Sequence, residues 1–176
     1  HLFSRIRFTE ANLIKDDIGI AKFHTEKYSS VLRRICQYRP LGTFVSNQSS
    51  NKFIYYQEAT NYWMKAAMRI PYYCKNGEIT EPAHGRKMYF RDKKHMEEIF
   101  CLINSSLFFL WYTAFSDGFH LSDNVMKKFP IDSNLLDNDD LYKLSSALAK
   151  DINKNTYRTT RNTRTDDIVI ESFRIN

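Results

Sequence analysis

Ile103-Asn104-Ser105-Ser106-Leu107-Phe108-Phe109-Leu110-Trp111-Tyr112, then Ser116-Asp117-Gly118-Phe119-His120-Leu121 and Phe129-Pro130-Ile131, is the stretch on which the fold turns. From Lys93 onward the apolar positions Met96, Ile99, Phe100, Ile103, Leu107, Leu110, Trp111 and Ala114 recur at i, i+3, i+4 and i+7. That is the period of a helix with one buried face. Leu102, Phe108, Phe109, Tyr112 and Phe115 fill much of the other side in the second half. A helix that starts amphipathic and turns apolar all round is buried on most faces by its end. The pattern therefore predicts one central core helix over residues 93–115. Asp117-Gly118 stops it, because glycine takes the left-handed C-cap conformation without steric cost. Ser122 caps a short helix at 123–128, which Pro130 terminates.

Working outward, residues 1–23 alternate apolar and charged groups without a sustained period and read as a strand or loop. Residues 24–38 place Tyr28, Val31, Leu32 and Ile35 at helical spacing, and Pro40 forbids continuation. Strands at 42–45 and 53–56, joined by the polar loop 46–51, read as a hairpin. Residues 58–73 lean toward strand, Asn76-Gly77 marks a tight turn, and 87–91 alternates as a half-buried strand. A last helix is expected over 137–153. Asp137, Asp139 and Asp140 favour its N-terminal dipole, and Leu141, Leu144, Leu148 and Ile152 form one face. The threonines between Arg158, Arg161 and Arg164 favour an extended segment at 156–165, ahead of a closing strand at 168–170. The class is α+β: a mixed or antiparallel sheet region packed on a central aromatic-rich helix, with a C-terminal helix and strand. Residues 1–40 read as an N-terminal connecting segment with one helix, and residues 41–176 as a single globular unit.

A chain of 176 residues can bury a substantial core, and the 15% aromatic share leaves rings for stacking or interface contacts. The formal charge of +6 and pI near 9.2 suit a polyanion, and equally a plain solvated basic surface. Cys36, Cys74 and Cys101 form no CxxC pair or zinc spacing and read as reduced thiols of a cytoplasmic protein. The longest apolar run, 107–115, falls short of the roughly 20 residues a membrane span needs. His1 opens the chain without a methionine and an apolar strand runs to its end, so a fragment of a larger protein is expected.

Most catalytic patterns are absent from the sequence. Each of the five glycines stands alone, which excludes the GxGxxG and GxxxxGK[ST] phosphate loops. There is no Gly-x-Ser-x-Gly elbow and no HExxH. Asp166, Asp167 and Glu171 lie near an apolar strand, as nuclease carboxylates do, yet Phe173 stands where the accompanying lysine belongs. No catalytic residue, metal ligand or cofactor site is assigned, and binding is the expected role. Basic and aromatic residues interleave twice: Arg69, Tyr72, Tyr73, Arg86, Lys87, Tyr89 and Arg91, then Lys150, Lys154, Tyr157, Arg158, Arg161 and Arg164. Guanidinium groups pair bidentately with phosphates and guanine edges, while neighbouring rings and amides reach bases. The candidate DNA-binding residues are Arg69, Arg86, Lys87, Arg91, Lys127, Lys128, Arg158, Arg161 and Arg164.

The order of a β-rich region, K-x-Y-F, N-S-S-L-F-F-L-W-Y, S-D-G-F-H-L and F-P-I resembles the C-terminal target-recognition region of N6-adenine DNA methyltransferases. The nearest resemblance is to the Eco57I- and TaqI-like specificity domains of fused, type IIG restriction-modification enzymes. Asn104 to Phe108, Trp111-Tyr112, Ser116-Asp117-Gly118, His120-Leu121 and Phe129-Pro130-Ile131 carry it. Phe119 departs from the pattern, standing where that family often has arginine or asparagine. The resemblance is specific over residues 88–131 and looser elsewhere. It implies a bacterial, cytoplasmic target-recognition domain whose partners are double-stranded DNA and a methyltransferase domain of the same polypeptide. The Asn/Asp-Pro-Pro-Tyr/Phe tetrad does not occur, so S-adenosylmethionine, and Mg²⁺ where the parent also cleaves, would belong to missing catalytic parts, with no cofactor and no membrane contact in this fragment. Two other readings stay open: a protein-interaction or scaffold domain that does not bind DNA, and a small nuclease using the three carboxylates.

Overall fold

The structure, a computed structural model, describes residues 3–5, 18–22, 25–60 and 66–173. Helix α1 (Glu26–Ile35) begins where the Thr25 side chain accepts the Tyr28 N–H, and it buries Leu32 and Ile35. Tyr28, expected on the same buried stripe, is exposed. Strand β1 (Arg39–Pro40), a 3-10 turn at Leu41–Phe44 and β2 (Val45–Ser46) lead to β3 (Phe53–Gln57) and β4 (Ala66–Ala67). Then come β5 (Tyr73–Lys75), β6 (Glu78–Ile79) and β7 (Gly85–Phe90). Helices α2 (Lys93–Ile103), α3 (Ser106–Phe115) and α4 (Asp123–Lys127) precede β8 (Pro130–Ile131). Helix α5 (Asp139–Lys154), β9 (Thr156–Asn162) and β10 (Asp167–Phe173) complete the chain's described elements.

Every strand pairing among the described residues is antiparallel. One four-stranded sheet runs β2-β7-β3-β4, a second runs β6-β5-β10-β9, and β1 pairs with β8. The architecture is α+β, with antiparallel sheet packed on aromatic helices and a C-terminal helix and strand.

Three sequence expectations need correcting. The hairpin of 42–45 with 53–56 does not form: β2 and β3 lie on either side of β7, which pairs with both. The alternating Met88 and Phe90 of β7 point into the core and make it the better central strand. Of the lean toward strand over 58–73, only β4 and the first residue of β5 are strand among the described residues, and 61–65 lie outside them. The third correction concerns the core helix, which is two helices bent by 69°. At the corner, Asn104 Nδ2 donates to the Phe100 carbonyl (2.9 Å) and Ser105 Oγ to the Leu102 carbonyl (2.6 Å), ending α2. The same Ser105 oxygen accepts the Phe108 N–H (3.3 Å) and starts α3. Short polar side chains that satisfy backbone groups locally favour helix ends over helix interiors. The Asn-Ser-Ser triplet is therefore a corner.

The bend wraps α2 and α3 around the inner face of the first sheet. Ile54, Tyr56, Met88 and Phe90 meet Ile99, Phe100, Phe108 and Trp111 in one buried cluster. Trp111 is fully buried, and its indole N–H donates to the Val125 carbonyl (2.9 Å), so the ring brings no unsatisfied donor into the core. Phe129, the first residue of the F-P-I stop, packs edge-on against Phe108 with centroids 4.9 Å apart. No single helix among the described residues is long and apolar enough to cross a membrane.

Helix α5 is capped by Asn138 and packs on α2, where Ser145 Oγ donates to the Glu97 carbonyl (2.5 Å). Leu144, expected on its buried face, is exposed. Glu98 on α2 is buried and accepts the Asp137 N–H (3.1 Å), while Lys94 pairs with the Asp137 carboxylate (3.3 Å). These contacts hold Asp137 at φ +64° and aim α5 so that its C-terminal end delivers the chain into β9.

Candidate nucleic-acid interface

The second sheet lies outside the main core and carries the arginine-rich tract. Threonine at 156, 159 and 160 favours an extended, half-exposed backbone, and the tract is strand β9, as expected. It turns into β10 through Thr163, which donates its N–H to the Asp166 carbonyl (2.8 Å) and accepts the Asp166 N–H on its hydroxyl (2.9 Å). The resulting ribbon pairs seven residues on each side, from Thr156↔Phe173 to Asn162↔Asp167. Strand β9 is one of the sheet's two outer strands, and its residues from Tyr157 to Asn162 are all exposed.

Side chains alternate along a strand, so Arg158 and Arg161 fall on opposite faces. Arg161 shares its face with Tyr157, Thr159, Ile168, Ile170 and, one strand further, Tyr73 and Lys75. Arg158 stands opposite Glu171, with its guanidinium 3.7 Å above the centre of the Tyr72 ring. Glu171 is also the ion-pair partner of Arg69, whose Nε donates to Asn153 Oδ1 (2.9 Å).

Between the two sheets opens a cleft of about 1070 Å³. Tyr55 and Gln57 line it from β3, Asn104 and Phe109 from the helix corner, and Tyr73, Tyr157, Thr159, Arg161 and Ile170 from the second sheet. The hydroxyl end of the Tyr55 ring lies against Gly85, where a Cβ would collide with it; burial, aided by Glu81, pushes its hydroxyl up to about 12.

The nine basic residues named from sequence divide by partner. Arg86 donates from Nε (3.0 Å) and Nη2 (2.8 Å) to one oxygen of Glu58, which raises its pKa further. Lys87 pairs with Glu81 (2.5 Å), Lys127 with Asp123 (3.1 Å) and Arg69 with Glu171. Lys128 is half-buried at the C-cap of α4. The guanidinium groups of Arg91, Arg161 and Arg164 are exposed and make no ion pair or hydrogen bond among the described residues. Sheet pairing thus splits the first basic-aromatic cluster: Arg86, Lys87 and Tyr89 lie on β7, whereas Arg69, Tyr72 and Tyr73 border the second sheet. Glu58, Glu81 and Glu171, scattered in sequence, are the charges that neutralise Arg86, Lys87 and Arg69. Of the three carboxylates considered for nuclease chemistry, Asp166 is paired with Lys75 (3.1 Å) and Glu171 with Arg69.

The S-D-G-F-H-L turn has a different role from the cations. One oxygen of Asp117 accepts the N–H groups of Phe119 (2.8 Å) and His120 (2.7 Å), and the other meets His120 Nδ1 (2.6 Å). The His120 hydrogen bonds hold the Asp117 carboxyl down at about 2, and Asp117 in turn raises His120. Gly118 takes φ +85°, and the turn is stitched to the segment after β3: Thr60 donates to the Phe119 carbonyl (2.8 Å) and Leu121 to the Glu58 carbonyl (2.8 Å). Both the N–H and the carbonyl of Phe119 are used in holding the turn, and the residue is exposed. The turn joins α3 to the first sheet, and its residues shape the scaffold.

No family model, curated protein or solved structure matches this chain.

Proposed function

We propose that this chain is a target-recognition domain that binds double-stranded DNA sequence-specifically on behalf of a bacterial N6-adenine DNA methyltransferase, of the type fused in type IIG restriction-modification enzymes. The observation that carries the reading is the β9–β10 ribbon. It is an exposed edge ribbon bearing three arginines, Arg158, Arg161 and Arg164, without a carboxylate partner among the described residues, beside an aromatic-lined cleft. A two-stranded ribbon fits the major groove of B-form DNA, and unneutralised guanidinium groups suit phosphates and base edges. The N-S-S-L-F, S-D-G-F-H-L and F-P-I lines support the same reading through the resemblance, and they build the corner, turn and stop of the scaffold. On this reading methyl transfer, with S-adenosylmethionine, belongs to another segment of a cytoplasmic polypeptide.

A salt titration of duplex binding by gel shift tests it. Each phosphate contacted steepens the dependence of log affinity on log salt by about 0.9, so three or more contacts give a slope of about −2.7 or steeper. A flat salt dependence, or no shifted complex at low salt, refutes the proposal. A stable oligomer without a shift would instead favour a protein-interaction domain.

A further inference from the structure

We infer that Arg161 is the base-reading arginine of this domain and that it takes the O6/N7 edge of a guanine; the inference rests on the DNA-binding reading above. Five of the candidate cations are already engaged within the fold. Arg86, Lys87, Lys127 and Arg69 spend their donors on Glu58, Glu81, Asp123 and Glu171, and Arg158 lies on the Tyr72 ring. A guanidinium that meets a base must give up such partners or never have had them, because a buried donor left unpaired costs about 1–3 kcal/mol. Arg161 has none among the described residues, and of the three such arginines it is the one lining the cleft.

Its surroundings separate base reading from phosphate neutralisation. Across the strand stands Ile168, and beyond it on the same face Lys75, whose charge is met by Asp166 at 3.1 Å. Tyr157 and Thr159 continue that face toward the cleft floor. The Arg161 fork is thus a single unneutralised cation within an aromatic and aliphatic surface, where a base edge packs better than a solvated phosphate. Guanine is the base that follows, because its major-groove edge alone offers two acceptors at the spacing of the guanidinium fork. Arg164 differs: it sits in the solvent-exposed turn at the ribbon's tip, a position suited to backbone phosphate.

The test starts from duplexes enriched by this chain from a random pool, compared with an unrelated duplex of equal length. Arg161→Ala is expected to weaken the enriched duplex about 10- to 100-fold and the unrelated one by less than about threefold. Arg161→Lys should not restore the difference, since an ammonium cannot form the bidentate pair. Substituting 7-deazaguanine at each guanine in turn should reproduce the loss at one position with the unaltered chain, a readout independent of how the variants fold. Equal loss on both duplexes, full rescue by lysine, or indifference to every 7-deazaguanine overturns the assignment while leaving DNA binding intact. Absence of any duplex complex overturns both.

Discussion

The two four-stranded sheets have the same strand pairing and opposite surroundings. In the first, Ile54, Tyr56, Met88 and Phe90 are at most 4% exposed against the bent helix pair; in the second, the outer strand β9 is exposed from Tyr157 to Asn162, and Ile79 on the other outer strand, β6, is 69% exposed. The first sheet owes its place to apolar burial, at about 25 cal/mol per Å² removed from water. The second is held by its hydrogen-bond ladder, the Arg69–Glu171 and Lys75–Asp166 pairs, and Phe173 packing on the core edge. Ion pairs this near to solvent are screened by water and add little to stability. The difference separates two roles: substitutions in the first sheet and its helices should act on stability, and those on the ribbon should act on binding.

The largest effect should come from Trp111→Ala. It opens a cavity in the core and strips the Val125 carbonyl of its donor, costing about 3–5 kcal/mol and lowering Tm by roughly 6–20 °C in a thermal melt. Whatever folded protein remains should keep its duplex salt slope; a changed slope would break the division. Ser105→Ala removes the N-cap of α3 at the 69° corner and should cost about 1 kcal/mol in urea unfolding. No measurable loss would mean that Asn104 and Ser106 set the corner without it. Arg164→Ala lies on the other side of the comparison. Its stability should stay within about 0.5 kcal/mol while the salt slope becomes shallower by about 0.9. A destabilised protein, or an unchanged slope, would contradict a phosphate contact at the tip.

The smallest effect concerns the exposed Asp117–His120 pair, and its sign follows from the two shifts. Asp117, held at about 2 against an ordinary 3.8, stabilises the fold above about pH 4 and loses that effect as pH falls toward 2. His120, raised above 6.5, stabilises fully below 6.5 and loses its effect as pH rises through its elevated pKa. The pair is complete between those limits. In Asp117→Asn the His120 ring should titrate close to 6.5 by NMR, with the turn kept by the remaining side-chain oxygen. A His120 pKa that does not fall would show that Asp117 is not its partner.

The same contrast explains what the sequence revealed. Local periodicity and caps located α1, the short helix after Ser122, α5 and the Asn76-Gly77 turn, because those signals lie within a few residues of the structure they specify. The extended reading of 156–165 likewise followed from its threonines, and it placed Arg158 and Arg161 on opposite faces. The helix break was also written in Asn104-Ser105-Ser106, but the unbroken apolar stripe from Met96 to Ala114 masks it. Strand partners were less legible. Strands β2 and β3 both satisfy a hairpin pattern, and only the long-range fit of Met88 and Phe90 into the core places β7 between them. The candidate interface was legible as a set of cations, but which of them are neutralised was not. Glu58 lies 28 residues from Arg86, and Glu171 lies about 100 residues from Arg69.

The central claim, sequence-specific recognition of duplex DNA, is tested most directly by a ratio of affinities at one physiological salt concentration. The chain's enriched duplex and a scrambled duplex of the same composition are titrated side by side. A specific domain should prefer the enriched duplex by about 10³-fold or more. A ratio near one, with both complexes dissolving together as salt rises, would contradict it and leave only a basic surface.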